Sequence, residues 1–527
     1  MSRKKSNNFL TGALIIAAAH IITKVIGALF KIPLDRFILG AEGMGIYTNT
    51  YYIYNWLFVV STAGIPVAIS KMVAESAAKG NTRETRRIFN VSFFTMLVIG
   101  SLAAFLLFFG AGAFSNLIAM PRTRLSMMVM APSLLFACLM SSFRGYFQGQ
   151  QNMFPTAISE FVEASFKLIA GLALASLLMP RGVDYASAGA IGGVSIGGGM
   201  ALLFLVSAFL FYARRPREEG EEMPVASRKR ILKRLVSLAL PITLGASVFS
   251  LSTVIDTAMV SNILKGLNYG EQLREQLFGY LSRATTMFNL PPTVIAAIAV
   301  SIVPAIATLK ARNETEQLKR QIYVALRITL LFALPCAIGL SVLAEPILTL
   351  IYNDGNHAEL LTVLGLAVAS VTFVQVSNAV LQALGKIWLP VRNMALGGLL
   401  KIVINILLVS NPKINISGAT VGTFCCYLLI VLLNLWDIKR AAGIRFGVFG
   451  FFLKPLLASL LMGGIALLVY TLTAGFGTTL SVALAILSGG IAYVILLFAC
   501  RIVTEEELLL LPKGEKMTAL CKKIKLI

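Results

Sequence analysis

HIITKVIGALFKIPLDR, His20 to Arg36, puts charge where the surrounding sequence is apolar. It lies in an apolar segment from about Phe9 to Leu34, long enough to cross a bilayer. At helical spacing His20, Lys24, Lys31 and Asp35 share one stripe, while Ile, Val, Leu and Ala fill the opposite face. A Lys facing lipid near the bilayer centre costs at least about 2.5 kcal/mol, so this stripe is expected to face the bundle interior or an aqueous cavity. The alternative is that Lys24 and Lys31 snorkel to the two membrane surfaces. Gly27 and Pro33 in the same helix predict a bend.

Outward from that helix, 57% of the 527 residues are hydrophobic and 13% charged, against about a quarter charged in soluble domains. This composition predicts an all-α integral membrane protein. Apolar runs of spanning length predict fourteen helices, at about 8–34, 46–70, 88–114, 125–147, 155–179, 185–213, 235–264, 278–308, 322–343, 357–383, 390–410, 416–438, 450–471 and 477–501. No small-residue cleavage site follows the basic N-terminus, MSRKKSNN, so the first span is expected to be retained. Lys and Arg collect in alternate loops, notably 71–87, 214–234, 310–320 and 501–525. That bias predicts a multi-pass protein of the plasma membrane with N- and C-termini cytoplasmic. The net charge of +22 is then topological and calls for no nucleic-acid partner. The six cysteines lie mostly within spans and show no CxxC spacing, so neither a disulfide framework nor a zinc site is expected.

The hydrophilic stretch from Arg214 to Arg234 separates two sets of six spans. The expected organisation is an N-lobe at 1–213, a cytoplasmic linker at 214–234, a C-lobe at 235–440, two further helices within 441–501 and a cytoplasmic tail at 502–527. The lobes repeat each other. GIYTNTYYIYN, from Gly45 to Asn55, matches GYLSRATTMFN, from Gly279 to Asn289, and Gln148 and Lys167 match Gln382 and Lys401 at the same 234-residue offset. An even number of spans per unit makes such repeats parallel, related by a pseudo-twofold axis along the membrane normal. The repeat supplies an internal pseudo-dimer, so a monomer suffices.

No HExxH, GxSxG or GxxxxGK[ST] occurs, so the sequence offers no catalytic constellation, resident metal or cofactor site, or ATP-binding loop. Energy must come from a coupling ion, Na+ or H+, from the membrane potential or from the substrate gradient. The informative residues are charges inside spans. Arg283 stands at the repeat position of Asn49 and, with Lys24 and Lys31, forms a cationic set that needs an anion in low dielectric. Phosphate or pyrophosphate carries the most charge for its size. Alternatively Arg283 sits at the outer interface near Arg274. Asp256, one turn after Ser252, is expected to pair with Arg283 or Lys24 or to bind a coupling cation, and Asp35 is a further charge partner. Glu160, Glu163 and Lys167 share a face, with Glu163 and Lys167 spaced for an i,i+4 pair. Glu75 and Arg144 are candidates for an inner gate.

KVIGALFKIPLDRFILGAEGMGIYTNTYYIYNWLFVVSTAGIPVAISKMVAESAAKG and FRGYFQGQQNMFPTAISEFVEASFK resemble the polysaccharide-exporter branch of the multidrug/oligosaccharidyl-lipid/polysaccharide (MOP) exporter superfamily. Within it the likeness is to the stage V sporulation protein B group and the lipid II flippases. The resemblance implies a flippase that carries an undecaprenyl-pyrophosphate-linked sugar between leaflets by alternating access, with membrane lipid and a lipid-linked glycan as partners. It also implies pyrophosphate held by cationic residues of helices one, two and eight, and a lipid tail lying along the last two helices. Lys24 stands where lipid II flippases place an Arg, and Arg36 also has a basic counterpart. The sequence departs from those flippases in three places. Their adjacent Arg-Asp pair becomes Phe30-Lys31, their basic residue of helix two has no counterpart near Leu57 to Val60, and Arg283 lies about one turn before the corresponding arginine. The alternative within the superfamily is a cation-coupled exporter of small molecules and drugs, which would want uncompensated acids facing the cavity.

Overall fold

The computed structural model describes Ala19 and residues 22–213, 224–444, 446–447, 449–500 and 502. His20, most of the first apolar run before Ile22, residues 214–223 of the linker and nearly all of the 502–527 tail lie outside the described residues. Among the described residues the chain is helical, with no strand. It divides into two compact units, Met1–Gly279 and Tyr280–Ile527.

In the first unit, α1 covers 22–33 and runs into a π-helical turn at Leu34–Leu39, and α2 follows at Gly40–Thr62. Pro33 lacks the N–H that would continue an i→i−4 ladder, and the widened turn after it is one way a helix absorbs that loss. Gly40 closes the turn at φ 61°, a conformation that a side chain resists. The expected second span, 46–70, is broken. α2 stops at Thr62 and α3, Ile65–Ala78, starts with Pro66 in its first turn. Gly64 sits buried at the break, where a Cβ would meet the Ala239 carbonyl oxygen at 2.1 Å, and its N–H donates to Thr243 Oγ1 at 3.1 Å.

α4 (Thr82–Leu117) is capped by Asn81, whose side chain accepts the Glu84 N–H at 2.9 Å. α5 (Thr123–Gly149), α6 (Phe154–Leu178), α7 (Val183–Ala213), α8 (Arg228–Gly266) and the first half of α9 (Glu271–Phe288) complete this unit. α6 and α7 meet along a glycine seam, where a Cβ on Gly193 would lie 2.4 Å from the Gly171 Cα. In lipid, helices associate by such close packing rather than by leaving water.

The second unit holds the rest of α9, then α10 (Leu290–Ala311), α11 (Thr315–Val342), the short α12 (Ala344–Tyr352), α13 (Ala358–Ala383), α14 (Trp388–Val409), α15 (Ser417–Ala442), α16 (Lys454–Thr473) and α17 (Thr478–Ala499). Expected span eight, 278–308, is divided at Asn289 ahead of Pro291 and Pro292. Residues between expected spans nine and ten, read as loop, form α12.

Twelve helices among the described residues are long and apolar enough to cross a membrane, short of the fourteen spans expected. One of the twelve stretches, Ile22–Ala78, runs through both expected spans one and two, while α9 and α10 do not qualify. The outer face of α4 shows why these helices belong in lipid. Phe94, Val98, Leu102, Phe105 and Phe109 form one helical stripe with each side chain more than half exposed, a patch that water would penalise and hydrocarbon accepts.

Candidate functional site

The face of α1 that carries Thr23, Ile26, Gly27 and Phe30, rather than the charged stripe, lines a hollow inside the first unit. A cavity of about 240 Å3 lies among Thr23, Gly27 and Phe30 of α1, Arg144 of α5 and Glu160, Glu163 and Lys167 of α6. Phe30 is fully buried and wedges onto Gly171, where a Cβ would come within 2.7 Å of its ring. The glycine therefore sets how closely α1 approaches α6. Lys167 points its ammonium over the Phe30 ring at 5.3 Å and the Tyr51 ring at 4.9 Å, favourable contacts for a desolvated cation. Lys31, half-buried, is close enough to Lys167, Asp35 and Lys24 to interact with each electrostatically. Three lysines and one buried carboxylate, Asp35, thus share one neighbourhood.

The acids of α6 are placed differently from the sequence reading. Glu163 Oε2 accepts from Arg144 Nη2 at 2.8 Å, and Arg144 Nε donates to Ser159 Oγ at 3.0 Å. The expected i,i+4 partner, Lys167, stays within electrostatic reach of Glu163 while its ammonium lies over the aromatic rings, and Arg144 from α5 adds a planar fork to the same carboxylate. Arg144 is thereby not paired with Glu75, which bonds Arg234 of α8 instead. Glu160 lines the cavity, and Asp256 on α8 is half-buried within electrostatic reach of Tyr52 on α2. Lys24 and Arg36 are exposed, the latter with its guanidinium 5.4 Å from the Phe37 ring.

A second charged centre lies at the N-terminal end of α7. Arg122 bonds Glu42 at 2.7 Å, Glu275 at 2.6 Å and Asp184 at 2.5 Å, and its backbone N–H donates to Glu271 Oε1 at 3.1 Å. Glu275 stands ahead of expected span eight and is fully buried. Burial pushes its carboxyl up to about 8, with Arg122 opposing and Glu271, Asp184 and Glu42 adding to the rise. α2 and α9 cross here backbone to backbone. A Cβ on Gly45 would meet the Glu275 carbonyl oxygen at 1.9 Å, and one on Gly279 the Ala41 carbonyl oxygen at 1.8 Å. These are the two glycines that the repeat pairs.

In the second unit Arg283 is nearly buried between the Tyr280 and Tyr352 rings, 5.2 Å from each, and donates to Asp354 Oδ2 at 2.7 Å. Burial opposes the charge on Asp354, but the Asn356 N–H and the Arg283 guanidinium outweigh it and hold the carboxyl below its ordinary range. Asp354 was not singled out from sequence; its only signal was a turn-forming NDGN run. An apolar hollow of about 400 Å3 in the same unit is lined by Pro335, Cys336 and Gly339 of α11, Met462 and Ala466 of α16, and Ala485, Gly489 and Gly490 of α17.

A family model described as polysaccharide biosynthesis protein matches residues 9–310. The chain belongs to that family. Another similar protein, stage V sporulation protein B of Bacillus subtilis (strain 168), is 26% identical over 96% of this chain and 98% of its own length. The lipid II flippase MurJ of the same organism is 24% identical over 84% of this chain and 85% of its own. Among solved structures, the lipid II flippase MurJ in an inward closed conformation matches with a TM-score of 0.68 at 16% identity, covering 92% of this chain and 98% of that one. An inward-facing multidrug resistance MATE family transporter of the MOP superfamily matches with a TM-score of 0.65 at 13% identity, covering 81% and 98%. This polysaccharide biosynthesis family protein is accordingly a multi-pass membrane protein that shares its fold with those two structures. Among its described residues, no group of three or more His, Cys, Asp or Glu is placed to hold a metal ion.

Proposed function

We propose that this protein is a flippase that moves an undecaprenyl-pyrophosphate-linked cell-wall precursor, lipid II or a related lipid-linked oligosaccharide, from the inner to the outer leaflet by alternating access. The observation that carries this reading is the lysine group of the first unit. Lys24, Lys167 and Asp35 lie within electrostatic reach of Lys31, and with Arg144 the bases of this neighbourhood outnumber the acids Asp35, Glu160 and Glu163, a surplus of positive charge that an entering pyrophosphate would balance. Crossing about 30 Å of hydrocarbon unaided is prohibitive for that anion, and a cationic, hydrated path offsets its desolvation. Lys24, Lys31, Arg36 and Arg283 are the assigned pyrophosphate contacts. Arg283, in the second unit, already holds Asp354 and takes phosphate oxygens only by exchanging that carboxylate. The hollow between α11, α16 and α17 supports the lipid half of the reading, being apolar and open enough for an isoprenoid chain. The names of two relatives, one a lipid II flippase and the other a protein named probable lipid II flippase, support the same cargo class.

In the proposed orientation both termini and the 214–234 linker are cytoplasmic. An inside-negative potential then drives an anion outward, or returns an empty cationic carrier, at about 2.3 kcal/mol per charge per 100 mV. The exporter reading, drugs against a cation gradient, draws only fold-level support from the MATE likeness. It is weakened by Glu163, whose charge Arg144 balances.

The test is lipid II accessibility at the outer leaflet of cells depleted of their own flippase and expressing this protein. Wild type should restore accessibility, and Lys24→Ala and Lys31→Ala should abolish it at equal membrane abundance. No restoration by a normally inserted wild type would rule out lipid II as cargo. Restoration by every variant would remove the lysines from the site.

A further inference from the structure

In the second unit the chain turns from α13 into α14 beside the last turns of α15. The hollow between them has a volume of about 530 Å3 and is lined by Lys386, Arg392 and Arg440 with one acid, Asp437. That acid is committed. It is 4% exposed and accepts from Arg392 Nη2 at 2.8 Å and from Asn393 Nδ2 at 2.7 Å. Asn393 is fixed in turn by Asn434 at 2.9 Å, so a buried polar network holds Arg392 in place while nearly half of its side chain faces outward. Arg440 is steadied by the Trp436 ring, 5.8 Å from its guanidinium. The hollow therefore presents three cations against one acid, two of them held by packing before any ligand arrives.

Its rim is the opposite of what water selects. Trp388 is 81% exposed, Ile387 63% and Trp436 53%, and two of the three tryptophans in the chain stand at this one hollow. Tryptophan at the end of a spanning helix marks the headgroup level of a bilayer. A free phosphate would satisfy the cations and leave Ile387 and Trp388 in water, and an acidic peptide would do the same. A phospholipid satisfies both, because its phosphate meets the planar fork of an Arg while its chains cover the apolar rim. We infer that this hollow binds the phosphate headgroup of an anionic membrane lipid from the leaflet at this end of α13, with the lipid chains against Ile387 and Trp388. It shares no residue with the lysine group of the first unit and does not depend on the cargo proposed above.

The test uses the full chain in lipid nanodiscs with Trp56→Phe, so that emission reports Trp388 and Trp436 alone. Brominated phosphatidylglycerol should quench that emission well beyond an equal fraction of brominated phosphatidylcholine. Lys386→Gln with Arg440→Gln leaves the Arg392–Asp437 pair intact and should lower the anionic preference by roughly thirtyfold, two cations' worth of headgroup attraction. Unchanged quenching by the phosphatidylcholine probe shows that the variant is folded and inserted. Equal quenching by the two lipids in the unsubstituted background overturns the site, as does a preference that survives the double substitution. Millimolar inorganic phosphate should leave the preference in place; if it abolishes it, the hollow takes free phosphate and the lipid assignment falls.

Discussion

Among the described residues, Glu275 is a carboxylate whose burial makes the fold sensitive to pH. Its folded value of about 8 stands above its ordinary 4.5, so the folded state binds a proton that the unfolded state has released. Such a group supports the fold fully below its unfolded value, and that support drains away as pH rises through the folded one. The thermal unfolding temperature in detergent should therefore fall between about pH 4.5 and 8 relative to Glu275→Gln, which cannot ionise. Arg122 opposes the shift, so Arg122→Gln should move the loss to higher pH; a curve for that variant that overlays wild type would refute the assignment. The sequence announced little of this centre. Charges within one helix were legible, since Lys24, Lys31 and Asp35 fall on one stripe by spacing alone and do share an electrostatic neighbourhood. Charges that find each other across helices were not. Arg122, Glu42, Asp184 and Glu275 come from four separate segments, and Glu163 takes a bond from Arg144 on α5 beside the Lys167 of its own helix.

At the scale of elements, the apolar period located most helices, and small residues decided how near they come. Breaks inside spans were harder to read. Gly64 with Pro66 and Asn289 with Pro291 are punctuation that a spanning helix often tolerates, and only the packing of α8 on Gly64 shows why one of these places opens. Short α12 was missed because nine residues are too few for a periodic signal. The α6–α7 seam gives this argument a test. Gly193→Val would drive side-chain atoms into the Gly171 backbone, and Gly464→Val on α16 meets nothing within 4 Å. The first should lower stability by about 1–3 kcal/mol or block folding, whereas the second should stay within about 0.5 kcal/mol. Melting of the two purified variants beside wild type decides it, and equal melting would mean that the seam is not under packing constraint.

At the scale of the whole molecule, membrane class, all-helical fold and family were readable before any coordinates, because composition and the alternation of basic loops are summed over hundreds of residues and survive local error. The division of the chain was less readable. The linker at 214–234 is the most hydrophilic stretch, yet the compact units part at Gly279 and Tyr280, since backbone contact at Gly45 and Gly279 ties the start of α9 to α2. The two C-terminal helices offer the most direct test of what the molecule carries. Gly490 lines the apolar hollow of α11, α16 and α17 and faces open space, so Gly490→Trp adds bulk to the hollow without displacing a neighbour. If an isoprenoid chain lies there during transport, that variant should insert and melt as wild type does and yet lose lipid II accessibility at the outer leaflet. Its indole should also shield Cys336, another lining residue, from an apolar maleimide. Gly464→Trp supplies equal bulk outside the hollow's lining and should keep both transport and Cys336 labelling. Transport by Gly490→Trp at the wild-type rate, with Cys336 shielded, would place the lipid chain elsewhere, since the hollow would then be filled and unused.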